Sequence, residues 1–468
     1  MSKLVKLICT TVIFISVLGN QKSFGQNKKI VLTYKEYIEN VLQFHPIATK
    51  ADLRIQLANA ETLGAKGNLD PTISSDWNQK KFDKKLYYRQ FEAKLKFPTK
   101  LGIDFIGGYE NTDGVFLNPE KKTDNYGLWF LGVEANLLQG LITNERKTAI
   151  QQAKIFQNLA ENEQQIMLND LVYDASTAYL IWQQYTYNKL VFEENLSIAN
   201  TYFDNTKQSF LGGEKTAIDT LESYIQYQDA IANLQKNELG LIKSRQKIEN
   251  YLWFNNEPVT LQEITQPEDY KNQLFPIPIN FENSNLANHP LILASINKLS
   301  YIQIEQRLKR EKLKPKLKVK YNPLLATSEN NISPNYSFND FKWGFSFSMP
   351  LLLRSARADI LKGKVKLREI ELDISNKRNE LQNKIENSWL QQQQLQNQVN
   401  LLTQNVENYK RLLDGENEKF IFGESSVFLL NKRQEKYING QLKLIEIFIK
   451  QRIEILNFLY LSNQLIKQ

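Results

Sequence analysis

The sequence predicts a mainly helical chain with a minority of strands, written twice, in which long coiled-coil hairpins carry strands at one end. Three observations lead there. The 13 prolines fall only between Pro46 and Pro119 or between Pro258 and Pro350, which leaves two long stretches free of helix breakers. Short motifs recur in the same order in both halves of the 468 residues. The aromatic residues gather in short segments that alternate strictly between apolar and polar.

Residues 1–25 read as an export leader. Lys3 and Lys6 precede the apolar run LICTTVIFISVLG, and Ser23 and Gly25 supply small residues before a cleavage point after Gly25. A membrane anchor is the competing reading, but the run is short for a span. The single cysteine, Cys9, lies inside that run. The exported chain therefore has no disulfide, no thiol nucleophile and no thiolate metal ligand. The formal charge of +8 includes Lys3, Lys6 and Lys22; without them it is three lower, +5. Charges of both signs are scattered along the helices, which excludes a nucleic-acid footprint. Mean hydropathy is −0.45, and no later segment approaches 18 unbroken apolar residues, which excludes a polytopic helical membrane protein.

The first repeat covers 26–254. It opens on a helix around FHPIATKADLRIQLANAETLGAKGNLDP. PTISSDWNQK, LYYRQFEAKLKF, LGIDFIGGYE and YGLWFLGVEANLL follow as strands, about 71–137, with a loop at NTDGVFLNPEKKTD. From Thr143 to Phe210 there is neither Gly nor Pro. Gly212-Gly213 then breaks the run, and a second helix extends from about Thr216 to Trp253. At 1.5 Å per residue, 60-odd helical residues span about 100 Å. Leu168, Leu171, Ala175, Ala178, Trp182, Tyr185, Phe192, Leu196, Ala199 and Phe203 keep a 3-4 spacing, with Lys189 interrupting, as coiled-coil packing requires. Residues 255–285, rich in proline, read as a linker with short local structure.

The second repeat covers 286–468. His289-Pro290 matches His45-Pro46, 244 positions later. Each His-Pro pair reads as a turn or cap before a helix, since two ligands make a poor metal site. KLKVKYNPLL and NDFKWGFSFSMPLL form a strand pair, joined by the polar loop ATSENNISPNYSF. A helical run from about Ala356 to Leu413 follows, Gly415 and Gly423 bracket a break, and a last run reaches the C-terminus. Its seams include Leu395, Val399, Leu402 and Val406, then Ile438, Leu442, Ile445 and Ile449, with Arg452 interrupting. Leu137 matches Pro350 at offset 213 and Gly213 matches Gly423 at offset 210. The fall from 244 means that the first half carries about 31 extra residues in its strand region. The added segment, about Leu86 to Glu110, reads as a hairpin that either lengthens barrel strands or caps them.

Phe341, Trp343, Phe345 and Phe347 occupy every second position, between Lys342, Gly344, Ser346 and Ser348. One face of that strand is greasy and aromatic, the other polar or small. Such alternation suits a strand facing lipid, with Trp129 on a comparable strand in the first half. A soluble sheet with an aromatic core is the competing reading. An open sheet cannot sit in a bilayer with unsatisfied edges. One chain has too few strands to close a wide barrel, so several chains must close it, continued by a tube of coiled coils.

The two-fold repeat, the junctions NLLQGLITNER and MPLLLRSARAD, and the tip motifs FLGGEKTAIDTL and FGESSVFLLNKRQE resemble the TolC-like outer-membrane efflux protein family. The resemblance runs from about Thr33 to Leu465. It implies a homotrimer in which each copy gives four strands to a 12-stranded outer-membrane barrel, while the hairpins form a periplasmic α-barrel. It implies a passive exit duct in a Gram-negative outer membrane, serving tripartite efflux or type I secretion, with no cofactor. Its partners would be a periplasmic adaptor and an inner-membrane pump. Its cargo would be drugs, metals, small molecules or secreted proteins. Carried onto this chain, the adaptor-contacting tips are Phe210, Leu211, Gly212, Gly213 and Glu214, with Phe420, Ile421, Phe422, Gly423, Glu424 and Ser425. Asp219 and Glu222 stand where such proteins place a tunnel gate. Leu429 and Lys432 depart from that pattern in the second half.

Two other classes compete. An enzyme is disfavoured by the lack of cysteine in the exported chain, by only two histidines, and by the absence of G-x-S-x-G, a P-loop or a metal-ligand cluster. The adaptor itself generally has one helical hairpin flanked by small β-domains, where this chain has two long hairpins and aromatic strands; an exported coiled-coil structural protein also competes, and partition into the outer membrane discriminates against both.

Overall fold

The computed structural model describes residues 30–271, 286–328 and 331–467. The expected leader and residues 272–285 of the expected linker lie outside the described residues. A short strand β1 (Ile30–Leu32) leads into α1 (Tyr34–Phe44) and α2 (Pro46–Gly67). Four strands follow: β2 (Thr72–Phe82), β3 (Lys85–Pro98), β4 (Ile103–Asp113) and β5 (Leu128–Asn136). The first hairpin is α3 (Glu145–Leu211) and α4 (Ala217–Glu249). Short strands β6 (Trp253–Phe254), β7 (Glu257–Pro258) and β8 (Thr265–Pro267) precede the second half. There α5 (Pro290–Glu311), β9 (Lys316–Ser328), β10 (Asn331–Ser348), α6 (Arg354–Ile421) and α7 (Val427–Leu461) repeat the order. The chain is mainly helical with a strand minority, and the two halves share one plan.

Local chemistry explains the helix starts. Thr33 and Glu36 form a reciprocal capping box on α1. Nδ1 of His45 accepts the Ile47 N–H at 3.1 Å, and Nδ1 of His289 accepts the Leu291 N–H at 3.3 Å. Pro46 and Pro290 take the first helical position, where no N–H is needed. Both histidines are therefore caps, matched 244 positions apart. Burial lowers both imidazole pKa values below 6.5. A lowered folded pKa favours the neutral ring, so this stabilisation is complete above the ordinary value and is lost as pH falls through it. The double variant His45→Asn, His289→Asn keeps a capping acceptor without the titration. It is expected to flatten the acid side of a thermal-unfolding profile between about pH 7 and pH 5, read by circular dichroism.

The two long helices have 67 and 68 residues, about 100 Å each at 1.5 Å per residue. The structure corrects three expected boundaries. α4 stops at Glu249 rather than near Trp253, because Asn255 and Asn256 adopt positive φ and turn Trp253–Phe254 back onto Glu257–Pro258. Gly415 breaks nothing: α6 runs through it to Ile421. A lone helical glycine costs only about 1 kcal/mol, which a helix bonded and packed on both sides absorbs. The expected polar loop 326–338 is mostly strand. β9 continues to Ser328 and β10 begins at Asn331, and Pro334 is accommodated where the edge-strand register shifts between Asn331 and Asn335.

The seams expected in each half lie inside. Leu171, Ala175, Ala178 and Trp182 are buried, as are Leu395, Val399, Ile438, Ile445 and Ile449. Trp182 packs in a cluster with Tyr37, Val41, Ala48, Tyr179, Ile248 and Leu252. The Lys189 ammonium lies 3.6 Å from Glu193 and 3.4 Å from Glu238, so the interruption is paired. Arg452 is buried, with its guanidinium 4.9 Å from the Phe448 ring. β8 pairs in parallel with β1, which ties the segment after the first hairpin back to the start of the chain.

The main sheet is antiparallel with strand order β10-β9-β5-β4-β3-β2. It therefore has six strands, against the four per chain that the resemblance implies. The two additional strands are β3 and β4, which contain the added segment Leu86 to Glu110. They neither lengthen the other strands nor cap them. They insert between β2 and β5 along their whole length.

The strand-to-helix junction repeats at the level of backbone angles. Gly140 has φ +92, and the residue 213 positions later, Leu353, has φ +49. Leucine pays for that left-handed conformation, which costs an L-residue about 1–2 kcal/mol. Leu353→Gly is expected to raise stability by up to about 1 kcal/mol, the larger unfolded-state entropy of glycine offsetting part of the relief. The midpoint of denaturant unfolding followed by helix signal checks it.

Candidate functional site

The first candidate region is the sheet. Strand side chains alternate, and the register places odd-numbered residues of the regular parts of all six strands on one face. That face carries Trp77, Phe91, Leu95, Phe97, Phe105, Tyr109, Trp129, Leu131, Tyr321, Phe341, Trp343, Phe345 and Phe347. Trp343 and Phe345 are 65% and 66% exposed. The five aromatics singled out in the sequence thus share one exposed face of the sheet. Rings pass across the strands in sequence: Trp77 to Phe91 at 5.9 Å, Phe91 to Tyr109 at 6.3 Å, Tyr109 to Trp129 at 5.0 Å. A second aromatic row, with Phe97 facing Phe105, lies six residues further along β3, about 20 Å at 3.3 Å per residue. By register the first row runs on from Trp129 through Leu325 to Tyr336, and the second from Phe105 through Val133 and Tyr321 to Trp343. Two aromatic girdles flanking an apolar band match the outer surface of a membrane barrel. Among the described residues, no helix is long and apolar enough to cross a membrane.

The even-numbered face is mostly charged, polar or small, with Ile106 and Phe130 buried on it. At its helix end sits a network that sequence reasoning missed. Glu134 is 4% exposed and receives Lys318 at 2.7 Å, Lys320 at 2.8 Å and Lys96 at 3.5 Å. Asp104 receives Lys96 at 2.8 Å and Arg146 in bidentate fashion, at 2.5 and 3.2 Å. Arg146 belongs to the first turn of α3 and also donates to the Thr99 carbonyl. The network therefore bolts β3, β4, β5 and β9 to the start of the long helix. Nearer the other end, Lys342 pairs with Glu110. Apart from Arg146 on α3, each of these charged residues is one polar member of an alternating strand. Only the cross-strand register shows that they meet.

The second candidate region is the pair of hairpin tips at the far ends of α3 and α6. Both close with the same motif. Gly213 and Gly423 adopt φ of +80 and +77, the left-handed region that glycine enters without cost. The Glu214 N–H donates to the Ser209 carbonyl at 2.9 Å and the Glu424 N–H to the Lys419 carbonyl at 2.8 Å. Thr216 and Ser426 then cap α4 and α7. The turns leave apolar side chains in solvent: Phe210, Leu211, Ile421 and Phe422 are exposed, Phe422 at 80%. Gly212 and Glu214 are exposed too, as is Glu424, while Ser425 donates to Glu416 Oε1 at 2.6 Å. The two tips lie side by side, since the Lys215 ammonium sits 5.2 Å from the centre of the Phe420 ring.

Asp219 and Glu222 are placed differently from each other. Asp219 turns back to the helix start, where its Oδ2 accepts the Thr216 N–H at 3.0 Å and the Thr216 hydroxyl at 2.8 Å. These hydrogen bonds hold its carboxyl below the usual range. Glu222 lines a groove of about 520 Å³ between the hairpins, with Asp229, Phe428, Lys432 and Glu435. Among the described residues, no group of three or more His, Cys, Asp or Glu side chains is placed to hold a metal ion.

No family model and no curated protein sequence matches the chain. Solved structures do. The CmeC outer membrane channel of Campylobacter jejuni superposes with a TM-score of 0.66 at 12% identity, over 92% of this chain and 85% of that one. The outer membrane protein VceC of Vibrio cholerae gives 0.64 at 12% identity, over 92% and 95%. The open state of the MtrE outer membrane channel of Neisseria gonorrhoeae gives 0.57 at 12% identity, over 95% and 94%. This is the TolC-like fold. Within the TolC-like fold, the helical hairpins and the sheet of this chain take up nearly the whole length of the compared channels.

Proposed function

We propose that the protein is the outer-membrane exit duct of a tripartite efflux or type I secretion system. In this reading three copies assemble, their sheets close a barrel in the outer membrane, and their hairpins extend a tube into the periplasm. The duct is passive: it conducts what an inner-membrane pump delivers through a periplasmic adaptor. One observation carries the reading. A sheet with a lipid-suited aromatic face stands at one end of helices about 100 Å long, and exposed apolar tips stand at the other. Soluble proteins rarely leave such side chains in water without a partner.

The tips Phe210 to Glu214 and Phe420 to Ser425 are the surface offered to the adaptor. Asp219 and Glu222 stand near the narrow end of the tube. Three copies of each would favour cations there, with Glu222 the freer of the two because Asp219 serves as a helix cap.

The reading is tested by fractionating cells that express the chain and comparing gel migration with and without boiling. A heat-modifiable species of three chain masses in the outer membrane is expected, and a soluble monomer would overturn the reading. Phe422→Asp, paired with Ile421→Asp, is expected to leave that species intact. It should weaken adaptor capture about 30-fold or more, since buried aromatic anchors contribute 2 kcal/mol or above at interfaces. Co-purification with the adaptor and growth under a toxic efflux substrate read the effect.

A further inference from the structure

Resting on the duct reading, we propose that the assembled wall contains eighteen strands, six from each of three copies, with β2 of one copy closing on β10 of the next. Four strands per copy would give twelve.

The argument begins with β3 and β4. They are not an appendage on the sheet. β3 pairs with β2 from Lys85 to Lys96 and with β4 from Arg89 to Pro98, so its ladder is occupied on both sides. Their side chains alternate in phase with those of the flanking strands. Phe91 and Tyr109 complete one aromatic row between Trp77 and Trp129, and Phe97 and Phe105 lie on the row that the register carries through Val133 and Tyr321 to Trp343. A cap outside the membrane would have no reason to continue both girdles at the same heights. On the opposite face, Lys96 of β3 and Asp104 of β4 enter the network that anchors the wall to α3. Both faces of the added strands thus have the character of wall.

Closure then follows from topology. The sheet ends in β2 and β10, whose outer edges have no strand partner among the described residues. In a bilayer such edges must be paired. Five antiparallel steps separate β2 from β10, so the two edge strands run in opposite directions. Copies placed side by side therefore continue the antiparallel pattern without a mismatch, and an even-numbered ring results. Barrel width grows roughly linearly with strand number, so the opening is about 1.5 times as wide as a twelve-stranded one. Strand counts of sixteen to eighteen leave an aqueous channel.

The test uses single cysteines in a Cys9→Ser background, with the full chain assembled in outer membranes. Glu92→Cys and Lys94→Cys probe the inner face of β3, and Ala93→Cys and Leu95→Cys the outer face. Phe345→Cys and Ser346→Cys are the controls on β10. A charged, water-soluble maleimide is the reagent, and light scattering of the purified protein counts the copies. The expected result is labelling roughly tenfold or more faster at 92 and 94 than at 93 and 95, because a thiol in an apolar surrounding stays protonated and unreactive. Three copies are expected by mass. Equal, fast labelling at all four β3 positions, with Phe345→Cys still protected, overturns the eighteen-stranded wall and leaves the duct reading standing. A two-copy mass also overturns it, since six strands per copy would then close at twelve. Fast labelling of Phe345→Cys overturns the duct reading itself.

Discussion

Trp182→Ala is expected to destabilise the helical body by about 3–5 kcal/mol, the usual cost of emptying a large aromatic site in a core. Trp182 is 1% exposed and meets Tyr179 edge-to-face at 5.7 Å. Around it the α1 residues Tyr37 and Val41, the α2 residue Ala48 and the α4 residue Ile248 converge. The same place joins distant parts of the chain by hydrogen bonds. The Tyr179 hydroxyl donates to the Leu32 carbonyl at 2.7 Å and accepts the Glu268 N–H at 3.2 Å, and the Gln183 amide donates to the Glu268 carbonyl at 2.8 Å. The seam of a long two-helix ribbon collapses poorly around a lost indole, because the backbones on either side are stiff. The loss is a sizeable part of the 5–15 kcal/mol that typically holds a domain. Denaturant unfolding followed by helix signal should show a lower midpoint with an unchanged slope. Trp182→Phe should cost markedly less. A change under about 1 kcal/mol for the alanine variant would mean that this cluster is not the stabilising centre of the body.

Glu134→Gln is expected to act at the other end of the helices, on assembly. Its carboxylate faces three lysines, Lys96, Lys318 and Lys320, all within 3.5 Å. Removing the charge leaves Lys318 and Lys320 crowded without the counter-ion they share, while Lys96 keeps Asp104. Breaking a buried pair from one side costs about 3–5 kcal/mol, and partial exposure of the lysines pulls the expectation to the lower end. The measurement is the amount of the heat-modifiable oligomer that the proposed duct forms, which should fall sharply. Lys318→Gln and Lys320→Gln should each be milder, since Glu134 keeps its other partners. The triple variant Glu134→Gln, Lys318→Gln, Lys320→Gln should recover part of the loss, because it removes the repulsion along with the attraction. Losses that simply add up across the three positions would show that the charges do not act as a unit.

Much of the architecture was legible in the chain before its coordinates. Proline-free runs with a 3-4 seam can only be long paired helices. Gly213 and Gly423 marked the tips because a tight helix ending needs a left-handed residue, and both have one. Alternation from Phe341 to Phe347 named a two-faced strand because the strand period is two. These signals are local: the period, the breaker and the cap all lie within a few residues of one another.

The tertiary structure decided what depends on partners far apart in sequence. The segment Leu86 to Glu110 had the right alternation, but only pairing with β2 and β5 made it the middle of one continuous sheet. Gly415 looked like a break, and the ladder of α6 carried the helix through it. Asp219 stood at an expected gate position, and Thr216 drew its carboxylate back into a helix cap. Glu134 was one polar residue in an alternating strand until the register put Lys318 and Lys320 beside it. The repeat, the helices and the greasy strand face were written in the order of residues. The width of the sheet and the company kept by its charges were not, because strand pairing is a contact between distant segments that no local period encodes.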